Sequence, residues 1–186
     1  MKLVAIEGLD ASGKSTQGIK LYKYLQTQEK AVYLRVHPST DNFFGINAKK
    51  FLYSKGKSAH VASALFYMLD VIRSLLLYSW RRFDYLLFVR YLMGTAYLPA
   101  PLHRIAYYFF SRIVPTPTCV FFLDVSPEVA HRRIQQTRTK QEMFETWDKL
   151  NQIRQKAREL ALVGKWVIIN ANKPAKYVEN RIKQLL

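Results

Sequence analysis

The chain has 186 residues, 49% of them apolar, and carries 29 Lys+Arg against 13 Asp+Glu for a formal net charge of +16. Its single cysteine rules out a disulfide-stapled fold, and the length suits one domain, residues 1–186, with a continuous core. The charge favours anionic partners (nucleotides, nucleic acid or an acidic membrane surface) without choosing among them.

Met1 leads straight into the apolar run "KLVAIEG" (2–8), a short buried strand ended by Gly8, with no signal-peptide pattern before it. Ser15 and Thr16 then open a helix to about Gln28, with Ile19, Leu21, Tyr22 and Leu25 on its apolar side. "AVYLRVHP" (31–38) predicts a second strand stopped by Pro38. "STDNFFGINAKK" (39–50) reads as a polar loop, followed by an amphipathic stretch to Tyr53. Residues 58–81 predict a long helix, apolar almost all round and so buried on most sides. Two apolar segments, 61–80 and 85–110, have the length of membrane spans. Asp70 and Arg73 in the first, and Arg90, Arg104 and two prolines in the second, favour buried elements over lipid.

"DYLLFVR" (84–90) predicts a third strand, and a proline-interrupted helical section covers 91–113. "CVFFLDV" (119–125) is the fourth strand, with Cys119 expected as a small buried hydrophobe. Ser126, Pro127 and Glu128 make a helix start, with Ser126 as N-cap, running to about Gln136. A basic polar interlude precedes a helix to about Val163, a fifth strand "KWVIIN" (165–170) and a closing helix. Short apolar strands alternating with helices predict a parallel α/β sheet covered on both faces.

The chemistry concentrates in "GLDASGKS" (8–15), which fits G-x-x-x-x-G-K-[ST] between a strand and a helix. Such a P-loop wraps a polyphosphate in backbone N–H groups, here those of Ala11, Ser12, Gly13, Lys14, Ser15 and Thr16. Gly8 and Gly13 supply backbone freedom, Lys14 bridges the β- and γ-oxygens of ATP, and the Ser15 hydroxyl ligates Mg²⁺. A regulatory GTPase is excluded. The guanine motif N-K-x-D would fall at "NANKPA" (170–175), where Ala175 replaces the acid, and no D-x-x-G switch follows the P-loop. Asp10 is the anomaly, a carboxylate within an anion-binding loop.

"IEGLDASGKST" resembles the opening "EGxDGxGKST" of thymidylate kinases. In order along the chain, "FYMLDVIRS" (66–74) resembles the family's "LFAADRxxH", and "FVRYLMGTAY" (88–97) its "DRYxxSxxAY". "FLDVSPEVAHRRI" (122–134) is close to "FLDVxPExxxxRI", while "RTKQEMFE" (138–145) resembles a lid ending in E-x-F-E. The resemblance implies a five-stranded parallel sheet of order 2-3-1-4-5, a lid at about 137–145, and usually a homodimer, while the single cysteine fits a reducing, cytoplasmic setting. It also implies transfer of the γ-phosphoryl of ATP to the 5′-phosphate of dTMP, giving dTDP, with Mg²⁺. Catalysis of that kind is positioning and charge neutralisation. Arg90, at the carboxyl edge of the third strand, and Arg138, on the lid, are the implied catalytic cations beside Lys14. Arg133 is implied at the ATP site, Tyr67 at the base-stacking position, and Tyr97 on the acceptor side. Asp10 would face the acceptor's sugar 3′-hydroxyl and help to hold the waters on Mg²⁺.

Three positions depart from that pattern. Val89 replaces the acid that helps to arrange the Mg²⁺ shell, and Val71 the arginine that grips the acceptor phosphate. "RVHPS" replaces "REPGG", so His37 stands at the acid and Val36 at the arginine. Arg73, a candidate on the acceptor side, lies two residues beyond Val71 but about 200° around the helix, so it cannot simply substitute for the missing arginine. Arg35 lies one strand position off, which turns it to the other face. Asp10, Glu7 or Asp124 are candidates for the missing acid. A same-fold kinase for another small acceptor, or a nucleotide-binding protein with little turnover, therefore stays open. Nucleic acid is less favoured, because the aromatics sit in apolar runs rather than along a basic stripe.

Overall fold

The five apolar runs pair in parallel in the computed structural model, which describes residues 1–54, 57–137 and 146–186. They are β1 (Lys2–Gly8), β2 (Val32–Val36), β3 (Tyr85–Val89), β4 (Cys119–Asp124) and β5 (Val167–Asn170), in the order β2-β3-β1-β4-β5. β1, β3 and β4 are buried on both faces, which their unbroken apolar sequences require. The helices are α1 (Lys14–Thr27), α2 (Phe43–Leu52), α3 (Lys57–Tyr78), α4 (Leu102–Ile113), α5 (Pro127–Thr137), α6 (Trp147–Val163) and α7 (Ala175–Leu185). A short 3-10 turn, Met93–Tyr97, lies between β3 and α4. The core is a slab of Leu86, Leu87, Phe88, Phe121 and Phe122 beneath these helices.

Four expectations need correction. The helix α2 begins inside the stretch read as a loop, because the Asn42 side chain caps it, accepting the N–H groups of Phe44 at 2.9 Å and Gly45 at 3.1 Å. On α1 the buried stripe is Lys14, Gln17, Gly18, Leu21 and Leu25, and Ile19 lies off it, 47% exposed. Gly18 is the contact point. A Cβ there would meet Val89 Cγ2 at 2.6 Å, so helix and sheet approach more closely than any larger residue allows.

The third correction concerns α3, which has the length and hydropathy of a membrane span over Val61–Tyr78, yet is only 39% buried there. Its inner face packs against α2 and the 3-10 turn, and Tyr78 stacks on Tyr33 of β2 at 4.2 Å, whereas Val61, Leu65 and Leu76 form an exposed apolar stripe. All-round hydrophobicity thus marks two faces with different uses, not burial on most sides. Fourth, Cys119 is half-buried at the start of β4, and partial burial raises its thiol pKa. The N-cap at Ser126 forms as expected, its Oγ accepting the Val129 N–H at 3.4 Å.

Candidate active site

The parallel sheet sends every strand's carboxyl end to one edge, where ligands of open α/β folds bind. Four segments converge there: the loop after β1, residues 37–39 after β2, residues 90–93 after β3, and residues 171–172 after β5.

The loop after β1 is shaped by backbone. Gly8 (φ +148°) and Gly13 (φ +91°) occupy conformations that glycine tolerates, and a Cβ on Gly8 would press on the Leu123 carbonyl at 2.7 Å. Ala11 adopts φ +57° without being glycine. α1 has no acid in its first turn, so its positive end is left for an anion. Space beside Gly13 is open, and the buried Ser12 hydroxyl has no hydrogen-bond partner among the described residues. These are features of a cradle for phosphate. Ser15 and Thr16 are exposed at the mouth, while Lys14 is buried. Its ammonium donates to the Leu9 carbonyl and lies 3.8 Å from Asp10 Oδ1.

Asp10 is 4% exposed and is the hub of the site. Arg90 Nη2 donates to Asp10 Oδ1, and the Tyr97 hydroxyl donates to Oδ2 at 3.2 Å. Two cations and a phenol therefore share one carboxylate. The acid in the loop is the counter-charge that lets Lys14 and Arg90 stand close together. Arg133 on α5 donates to the carbonyls of Ala11 at 3.1 Å and Ala171 at 3.2 Å, tying the phosphate loop to the loop after β5.

Across the site, where α3 and the loops after β2 and β3 meet, the residues are tightly packed. Tyr67 is 6% exposed, its ring covers Gly94, and its hydroxyl donates to the Tyr91 carbonyl at 3.3 Å. Val71 is fully buried core. Among the described residues no hydrogen bond or ion pair brings Arg73 into the Asp10–Arg90 cluster, and its Nη1 is buried without a partner. Arg35, expected on the wrong face, is 8% exposed and forms a two-point pair with Asp41, both contacts 2.7 Å, plus a bond to Ser74 at 3.2 Å. That pairing holds the Asp41 carboxyl well below the usual carboxylate range. Asp70 accepts from Ser39 N and Oγ, both at 2.7 Å, and from Asn42 Nδ2 at 2.8 Å. Arg138 and the expected lid lie outside the described residues.

Val89 is fully buried against Gly18, so no polar group stands at the position of the missing acid. Of the three acids suggested in its place, two are committed elsewhere. Asp124 is held by Arg154 (2.6 and 2.9 Å) and Arg158 (3.3 Å) on α6. Glu7, 0% exposed, accepts the backbone N–H groups of Tyr91, Leu92 and Met93. Asp10 alone stands at the phosphate loop. Neither the arginine clamp on Asp124 nor the role of Glu7 was legible in sequence, since each joins segments 30 or more residues apart. The one available signal was an acid in an otherwise apolar strand, which demands a buried partner.

Comparison with known proteins identifies the family and the fold. The thymidylate kinase family model matches residues 6–182. A relative described as "Probable thymidylate kinase", from Metallosphaera sedula, is 30% identical over 175 residues, covering 94% of this chain and 86% of that protein. The solved structure of thymidylate kinase from Candida albicans superposes with a TM-score of 0.74 at 16% identity, over 99% of this chain and 90% of that one, a likeness of fold. The chain belongs to the thymidylate kinase family, ATP-dependent phosphotransferases that act on dTMP.

Proposed function

We propose that this chain phosphorylates dTMP at the loop after β1, with Asp10 as the point where donor and acceptor sites meet. The observation that carries the reading is the shared carboxylate, which links Lys14 from the phosphate loop to Arg90 and Tyr97 from the acceptor side. The acceptor phosphate is already an anion and needs no strong base. What the site must supply is alignment and positive charge.

Lys14 lies against the transferred phosphoryl group, the N–H groups of residues 11–16 hold the β-phosphate, and Arg90 neutralises the acceptor phosphate. Arg138 adds charge from the lid. Arg133, already bonded to both nucleotide-side loops, borders the adenine end. Tyr67, Tyr97 and Asp10 border the nucleoside, and Arg73 supplies a further cation on the acceptor side. Among the described residues no three-residue cluster of metal-ligating side chains exists. Mg²⁺ would be held on the protein side by the Ser15 hydroxyl. When bound, Mg²⁺ supplies charge neutralisation to the phosphates. Asp10 is the nearest acid to its waters.

The +16 charge favours anionic ligands such as nucleotides, and nucleic acid is not the favoured partner. The exposed stripe Val61, Leu65 and Leu76 on α3 suits a second copy of the chain, giving a homodimer in the cytoplasm. ADP release from ATP, measured across a panel of nucleoside monophosphates, tests the reading. Turnover with dTMP is expected, and ATP binding with no acceptor turned over contradicts it.

A further inference from the structure

We propose that His37 and Glu7 are positioning residues, two buried side chains that together fix Arg90 in a left-handed turn and aim its guanidinium at Asp10. The inference rests on the role given to Arg90 above. Arg90 has φ +65°, a conformation that costs a non-glycine residue about 1–3 kcal/mol and persists only where its surroundings impose it. Here they do so from both sides. The Arg90 N–H donates to the Ile6 carbonyl at 3.0 Å, and its carbonyl lies 3.0 Å from His37 Nδ1. The next three N–H groups, of Tyr91, Leu92 and Met93, all donate to Glu7 Oε1 at 2.8, 2.6 and 3.2 Å. Glu7 Oε2 is buried with no partner among the described residues. The carboxylate spends one oxygen entirely on the turn that follows Arg90.

His37 is 0% exposed, and its other nitrogen, Nε2, lies 2.9 Å from Ser74 Oγ. That oxygen accepts from Arg35 Nε, so its own proton goes to His37 Nε2, which leaves Nδ1–H to donate to Arg90. Burial, which lowers the imidazole pKa to about 4, keeps the ring neutral and in this tautomer. Arg90 returns the contact, Nη1 donating to the His37 carbonyl at 3.4 Å. An acid at position 37, as the family pattern has, accepts hydrogen bonds only and has no proton to give a carbonyl. The histidine therefore makes a bond that the acid it replaces cannot make.

The side-chain amides of asparagine and glutamine separate the two nitrogens of His37. In His37→Asn the amide N–H takes the place of Nδ1–H, whereas in His37→Gln it reaches Ser74 instead. Steady-state kinetics with ATP and dTMP are measured for both, alone and combined with Arg90→Ala, alongside Glu7→Gln and Arg90→Ala themselves. A displaced Arg90 should lower kcat roughly 10- to 100-fold in H37Q with the KM for ATP unchanged, and H37N should recover most of that loss. Within R90A neither H37Q nor E7Q should cost more, because the residue they position is gone. Equal losses in H37N and H37Q, or losses that persist in R90A, overturn the inference. Full activity in R90A alone overturns the role of Arg90 itself, a result read without touching His37. If H37Q fails to fold, E7Q decides: it keeps the size of the side chain but offers three N–H groups a weaker acceptor, so it should fold, lose kcat, and lose nothing further in R90A. Wild-type kcat in E7Q contradicts the clamp.

Discussion

The two halves of the site are built from different materials. The half proposed for the donor is backbone: two glycines, a helix N-terminus and one lysine, all within residues 8–16. The half proposed for the acceptor is a side-chain mesh, in which Arg35 pairs with Asp41, His37 with Ser74, and Asp70 with Ser39 and Asn42. Backbone chemistry is set by local spacing and tolerates little change, because a Cβ at Gly8 collides with neighbouring atoms. A mesh can exchange partners as long as buried polar groups stay satisfied. All three departures from the family pattern fall outside the phosphate loop, on the segments where β2, α3 and β3 meet.

Breaking the donor half should cost most. Lys14→Ala removes the charge at the transferred group and should lower kcat roughly a thousandfold or more in the ADP-release assay. Unchanged activity would remove the phosphate loop from the reaction. On the acceptor side Arg90→Ala should cost roughly 100- to 1000-fold, with the KM for ATP nearly constant. A loss confined to ATP affinity would move Arg90 to the donor half.

The mesh should also show in stability. His37 keeps a pKa of about 4 in the fold against 6.5 in the open chain, so between those values the unfolded chain binds a proton that the folded one refuses. Stability should therefore fall as pH drops from 6.5 through 4, by roughly 3 kcal/mol in total. Denaturant unfolding of wild type and His37→Asn across that window isolates the effect. Parallel curves for the two proteins would show that His37 is not held neutral. Smallest for catalysis is the α3 stripe, where Leu65→Asp should halve the particle mass in light scattering while the isolated site stays intact. A wild type already monomeric at micromolar concentration would contradict the homodimer.

The same division explains what the sequence made legible. The strands themselves and the phosphate loop were readable, because period, punctuation and a short motif are local signals; strand order came only through the family resemblance. The start of α2 was hidden, since "STDNFFGINAKK" looks polar until Asn42 is seen to cap Phe44 and Gly45. Ile19 and the outer face of α3 were misplaced because hydrophobicity does not say which partner covers it. Val89 read as a lost acid, whereas its contact with Gly18 shows a core position sealing α1 to the sheet. Nothing local in "IEG" tells that Glu7 will hold a turn more than 80 residues away.

Asp10 carries the central claim, that donor and acceptor meet on one carboxylate, and Asp10→Asn tests it with both substrates varied. The substitution keeps the size and one acceptor oxygen but removes the charge shared by Lys14, Arg90 and Tyr97. The account predicts that kcat/KM for dTMP falls roughly 100-fold while the KM for ATP stays within about twofold. Wild-type kinetics toward dTMP, or a defect seen only in ATP binding, would contradict it.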